Sequence, residues 1–183
     1  MANLAKTRAA CLLDNPNPQP YKRVRNGKTW LFAHDGEIPV LVLRQLIGEE
    51  DLKASPPTTC FENGPKNWQD SELYFLFLLK KIEQKDGLVE EAIREGVKDL
   101  KNNLGEQQAP GLNFFLSDGE KIWAYRNGSP LFLSVQINPM MFMVASAPTG
   151  QPESWREIPD DVMLVLEKEA GPRVIVLSEN PQR

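Results

Sequence analysis

LNFFLSDGEKIWAYR, Leu112 to Arg126, is the stretch that decides the fold. Two runs rich in aromatic and branched apolar residues flank Ser117-Asp118-Gly119-Glu120, a set of residues suited to a tight turn. Such a pattern predicts a β-hairpin, and a hairpin makes its two strands antiparallel. Working towards the C-terminus, Asn127-Gly128 is a second turn signal and leads into a strand over Leu131 to Val135. MFMVASAP (141–148), DVMLVLEK (161–168) and RVIVLSE (173–179) read as three more strands. The C-terminal part of the chain is therefore a run of antiparallel strands.

Working the other way, the pattern changes period. DSELYFLFLLKKIEQ, Asp70 to Gln84, reads as a helix capped by Asp70 or Ser71, with Glu72 favoured by the positive end of the dipole. Its seven consecutive apolar residues leave little polar face, so it should be covered on most sides. A second helix is expected from about Leu88 to Leu104, because Val89, Ile93, Val97, Leu100 and Leu104 form one stripe; Gly105 ends it. Residues 48–69, broken by Pro56, Pro57, Gly64 and Pro65, read as a long loop, and residues 39–47 as a short helix with Pro39 at its first position.

Further upstream, KTWLFAHDG (28–36) reads as a buried strand over Thr29 to Ala33 that runs into a turn at Asp35-Gly36. The basic residues Lys22, Arg23, Arg25 and Lys28 read as a solvated loop, and DNPNPQP (14–20) as an extended or turning segment. Strand, helices and then antiparallel strands predict an α+β layered domain, and the whole chain, 1–183, reads as one domain with a full core.

The charge balance is 21 basic against 25 acidic residues, a net −4, and no Lys/Arg run forms a phosphate footprint, so no nucleic-acid partner is expected. The longest apolar run, Leu73 to Leu79, is too short to span a bilayer, and the N-terminus lacks the apolar core of a signal peptide; a cytoplasmic protein with no membrane partner is expected. Two distant cysteines, Cys11 and Cys60, and a single histidine, His34, make neither a disulfide framework nor a metal site. No P-loop, GxGxxG, HExxH or GxSxG is present. Taken singly, His34 reads as structural, Asp35-Gly36 as a turn and Asp70 as a cap.

Their order carries more. AKTRAACLLDNPNPQPY, WLFAHDGEI, a proline-broken loop, DSELYFLFLL, LNFFLSDGEKIWAYR, and then VASAP and WREIP follow one another along nearly the whole chain. The series resembles the class II glutamine amidotransferase domain of the N-terminal-nucleophile hydrolase type, in its small stand-alone bacterial form. That family has A-H-x-R-x-A-S, N-x-H-P-F, F-A-H-N-G and T-D-S-E-x-x-F in the same order. The resemblance implies a layered αββα fold, glutamine or a related small amino acid as ligand, and no cofactor. It implies that Arg8 clamps the substrate α-carboxylate, that Asp70 binds the α-ammonium, and that Asp35 and Gly36 occupy the oxyanion-hole positions. A planar fork of donors suits the first role.

Set against the family, the sequence departs at the chemistry. The family nucleophile is a cysteine at the mature N-terminus whose own α-amine is the base; here the sequence opens Met1-Ala2, and the family's first strands are expected to be missing. Cys11 lies inside the chain without an α-amine beside it, and Cys60 lies in the long loop with no histidine near it in sequence. Asp35 stands where the family has asparagine, whose amide donates; an ionised carboxylate only accepts. Lys6 and Gln19 replace two family histidines. The expectation is a glutaminase-type site that is impaired or inactive, with a non-catalytic ligand-binding or partner-interaction protein on the same fold as the alternative. An edge left by missing strands would favour pairing with a second copy or a partner chain.

Overall fold

The computed structural model describes residues 19–58, 68–105, 111–137, 140–151, 154–167 and 170–177. Along the chain these form strands β1 (Tyr21–Arg25) and β2 (Lys28–Asp35), helices α1 (Val40–Ile47), α2 (Glu49–Ala54), α3 (Asp70–Gln84) and α4 (Val89–Leu104), and strands β3 (Asn113–Ser117), β4 (Lys121–Arg126), β5 (Phe132–Ile137), β6 (Met140–Ala145), β7 (Trp155–Glu157), β8 (Val162–Glu167) and β9 (Arg173–Val176). The architecture is α+β. The chain divides into two compact units: Lys22–Gly36 with Pro110–Arg183, and Met1–Tyr21 with Glu37–Ala109.

The first unit is built on the hairpin that opened the sequence. β3 and β4 pair antiparallel with Phe115 opposite Ala124, and Asp118 closes the turn by accepting from the backbone N–H groups of Glu120 and Lys121. β2 pairs on one side of the hairpin and β8 on the other, giving the order β1-β2-β3-β4-β8-β9. Alternation then fixes the faces. One face carries Trp30, Phe32, Phe114, Leu116, Trp123, Tyr125, Met163 and Val165, all buried, with Trp30 stacked on Trp123. The other carries Phe115, Ala124, Leu164 and Leu166, which pack against Leu133, Phe142 and Val144 of a second sheet ordered β6-β5-β7. With both faces covered, the strands of this hairpin are far more apolar than a one-sided sheet needs.

The helical unit confirms that α3 is covered on most sides, since Leu73 to Leu79 are all buried. α4 lays Ile93, Val97, Leu100 and Leu104 inwards, and Gly96 lets it approach α3: a Cβ there would stand 3.3 Å from Leu78. Lysines of α3 tie the neighbouring helices. Lys81 bridges Glu95 and Asp99, and Lys80 meets Asp51 and the carbonyl of Ile47.

Four expectations are corrected. The basic loop at residues 22–28 is part of a hairpin: Asn26 and Gly27, both at positive φ, join β1 to β2. The strand predicted for Thr29 to Ala33 runs on to Asp35, so Asp35-Gly36 is a strand end and not a hairpin turn. The expected loop over residues 48–69 begins as helix α2, whose Glu49, Glu50 and Asp51 suit the dipole and whose Leu52 is buried. Pro39 precedes α1 as its N-cap rather than starting it.

The end of β2 is set by backbone contact. Gly36 has φ +149, and a Cβ on it would lie 1.8 Å from the carbonyl oxygen of Gly111. Gly111 and Gly128 are close in turn, with a Cβ on Gly128 only 3.1 Å from the Gly111 Cα. Gly36→Ala should therefore cost about 3 kcal/mol or more, from the unfavourable φ and the clash together. Gly27→Ala, also at positive φ but with nothing within 4 Å of the new methyl, should cost about 1 kcal/mol. Urea denaturation of the two variants checks this, and equal losses would contradict it.

Candidate functional site

The candidate residues are best taken where each sits. In β2 the side chains alternate so that Trp30, Phe32 and His34 point inwards and Asp35 ends exposed. His34 is buried, stacks on Phe32, and places Nε2 3.2 Å from the Gly111 carbonyl. A carbonyl only accepts, so Nε2 carries the proton. His34 thus closes the same strand end that Gly36 closes by contact, which agrees with its reading as a structural histidine.

Asp35 is the last residue of the ladder and faces Asn113 on β3. The buried Asn113 amide is held at both ends: its Nδ2 donates to the Ser129 carbonyl, and its Oδ1 accepts from the Asn127 N–H. Among the described residues the Asp35 carboxylate has no hydrogen-bond or ion-pair partner.

Asp70 lies in the helical unit at the first residue of α3. It is not the cap that the sequence predicts; Gln69 holds that position and makes no side-chain cap bond. The carboxylate instead reaches off the helix. Its Oδ2 accepts from the Ile38 N–H at 2.8 Å, and its Oδ1 accepts from the N–H of Ser71. Ile38 lies two residues along the chain from Gly36, so the helix start holds the segment that leaves β2. Arg8, and with it Cys11 and Cys60, lies outside the described residues.

Two residues the sequence reading passed over belong with Asp70. Glu72, read from the sequence only as an acid suited to the helix start, is 1% exposed. Its Oε1 accepts from both the N–H and the hydroxyl of Thr58, at 2.8 and 2.9 Å, which offsets part of the cost of burying a carboxylate. Tyr21 sits beside these carboxylates. Burial, and then the negative charges of Glu72 and Asp70, push its phenol well above the ordinary tyrosine range. The sequence signal was the spacing D-S-E itself, which places two acids in one helix turn; a cap explains the first and not the second. Arg44 on α1 stacks over Trp68, just ahead of α3, and pairs with Glu49.

Among the described residues no three or more His, Cys, Asp or Glu side chains are grouped to hold a metal, and no helix is long and apolar enough to cross a membrane.

A family model described as class II glutamine amidotransferases matches residues 4–140. Among solved structures the chain is similar to a predicted glutamine amidotransferase from Pseudomonas aeruginosa, at 14% identity and TM-score 0.58, over 85% of this chain and 65% of that one. It is similar to a glutamine aminotransferase class-II domain protein from Silicibacter pomeroyi, at 19% identity and TM-score 0.56, over 80% and 67%. It is also similar to the glutamine phosphoribosylpyrophosphate amidotransferase of B. subtilis, at 15% identity and TM-score 0.52, over 90% of this chain but 32% of that one. The likeness shows the layered α+β fold of these amidotransferases, of which the chain spans two thirds or less. No curated protein sequence is significantly similar to it.

The electrostatics around Tyr21 give a sign that can be measured. A phenol whose folded pKa is raised stays neutral in the folded state while the unfolded chain ionises, so stability is full below about pH 10 and falls as pH rises above it. The buried Tyr74, also raised by burial, acts in the same direction. Tyr21→Phe should make the alkaline loss of stability shallower without abolishing it, as read by denaturation between pH 8 and 11; an unchanged slope would contradict the placement of Tyr21.

Proposed function

The chain belongs to the class II glutamine amidotransferases, and we propose that it carries their glutamine-recognition site in a form that binds the amino acid and turns it over poorly. In this reading Asp70 takes the α-ammonium, Arg8 takes the α-carboxylate, and the Gly36 N–H faces the side-chain carbonyl. The observation that carries it is the Asp70 carboxylate, held by the amides of Ile38 and Ser71 at the head of α3. A carboxylate fixed by two backbone donors is pre-ordered, so a ligand ammonium meets it without a further loss of side-chain entropy.

The chemistry of the family is amide hydrolysis. A thiolate adds to the amide carbon, ammonia leaves, and water then releases glutamate from the thioester. The step needs donors where negative charge develops on the carbonyl oxygen. Asp35 supplies an acceptor there, and the neighbouring Asn113 amide is committed elsewhere. Losing one such donor costs about a hundred- to a thousandfold in rate, and a fixed negative charge adds to that. This favours ligand binding over turnover, and it equally supports a non-catalytic binding protein on the same fold. An edge strand of the six-stranded sheet offers a place for a second copy or a partner chain, as part of the same proposal.

Calorimetry on the full chain with glutamine, together with an ammonia-release assay, tests the proposal. Binding is expected at millimolar ligand or below, with ammonia release near background. Asp70→Asn, which removes the charge and keeps one acceptor, should weaken glutamine binding at least tenfold while lowering stability by about 1 kcal/mol. Wild-type binding that survives Asp70→Asn unchanged would overturn the reading, and so would rapid glutamine hydrolysis by the wild-type chain.

A further inference from the structure

We propose that this chain dimerises through β6, pairing Met140–Ala145 of one copy antiparallel with the same strand of a second copy about a two-fold axis at Phe142. The contact lies within one compact unit, the one that holds both sheets. It is independent of the glutamine site and fixes which sheet edge a second copy takes.

Among the described residues four strands form the edges of the two sheets: β1 and β9 of the six-stranded sheet, β6 and β7 of the three-stranded one. An edge strand keeps a row of backbone N–H and C=O groups open to another strand, and proteins guard such rows with charges, proline or short length. Three of these four edges are guarded. β1 carries Lys22, Arg23 and Arg25, β9 carries Arg173, and β7 is three residues long with Arg156 and Glu157. β6, MMFMVA, has no charge, no proline and no glycine over six residues. Charge therefore selects the edge that a second copy can share. Self-pairing of β1 sets cations against cations, which is destabilising, whereas self-pairing of β6 opposes only apolar side chains.

The inner layer of the sandwich also runs out at this strand. Phe142 and Val144 of β6, with Leu133 of β5, pack against the cluster that holds Ala124, Leu164 and Leu166. By alternation Met140 lies on the same face, and so does Val135, which stands opposite Phe142. Yet Met140 is 61% exposed and Val135 46%.

Cross-strand partners share a face, so the two-fold of a self-paired strand passes through one residue and not between two. With the axis at Phe142, that ring lies opposite its own copy, and Met140 lies opposite Val144 of the second copy. The apolar row then continues across the contact with an aromatic pair at its centre. With the axis at Met143, Met140 would face residue 146, beyond the strand, and stay uncovered. An isologous contact closes after two copies. One strand pair falls below the roughly 1,200 Å² of stable interfaces, so the dimer is weak, with micromolar dissociation.

Sedimentation of the full chain over about a hundredfold range of concentration tests the contact, with thermal melting as a check on folding. Monomers are expected to pass into dimers and no further, and hydrogen exchange of the β6 amides to slow as they do. Met140→Lys sets an ammonium against Val144 of the second copy and should weaken the dimer at least tenfold. Val174→Lys on β9 should leave it unchanged. A strictly monomeric profile would overturn the inference, and so would open-ended oligomers or a dimer whose β6 amides exchange at the monomer's rate. A dimer that survives Met140→Lys and is lost in Val174→Lys would also overturn it, moving the contact to the six-stranded sheet. Each of these outcomes leaves the glutamine-binding measurement unaffected.

Discussion

The contact between Gly36 and Gly111 is the constraint on which the rest of the structure depends. With a would-be Cβ at 1.8 Å from the Gly111 carbonyl oxygen, the two backbones meet more closely than any side chain allows. That contact ends β2 at one residue and starts β3 opposite it. The register follows, with Asp35 against Asn113 and Phe32 against Leu116. A slip of one residue would turn Trp30, Phe32 and His34 outwards and Leu31 and Asp35 inwards. The same carbonyl accepts from His34, so one atom group sets both the steric and the polar closure of the strand end. Gly128 stacks behind Gly111 and brings the end of β4 to the same point.

The helical unit solves a related problem with charge. Two carboxylates in the first turn of α3, Asp70 half-buried and Glu72 buried, hold two separate segments of chain: Asp70 takes the N–H of Ile38, and Glu72 takes Thr58. Each bond removes an orphan donor from an irregular segment, where no ladder or helix would satisfy it. Both acids lie in the first turn of the helix, where unsatisfied backbone N–H groups suit negative charge.

Much of this was legible in the sequence where periodicity is strong. The hairpin of β3 and β4, the wholly apolar face of α3 and the stripe on α4 all follow from spacing alone. Three features were not. Tyr21–Arg25 reads as a charged loop because its lysine and arginines mask a period-two pattern; the Asn26-Gly27 turn was the available signal. Glu72 reads only as an acid that suits the helix dipole, because no sequence pattern shows that Thr58, fourteen residues earlier, satisfies it. Asp70 reads as a cap because a cap needs only local sequence, whereas the Ile38 bond closes over thirty-two residues. Local rules found most of the elements, with β1 and α2 missed, and the other misses are long-range polar bonds that join the elements.

Position 35 is where fold and chemistry separate. The close contacts at the strand end are made by the backbone of Gly36, Gly111 and Gly128 and by the ring of His34. None is made by the Asp35 side chain. The fold therefore places no demand on that residue, and a donor or an acceptor can stand there at equal cost to stability. A strand end built by steric closure can in this way keep its geometry whichever side chain, amide or carboxylate, stands at position 35.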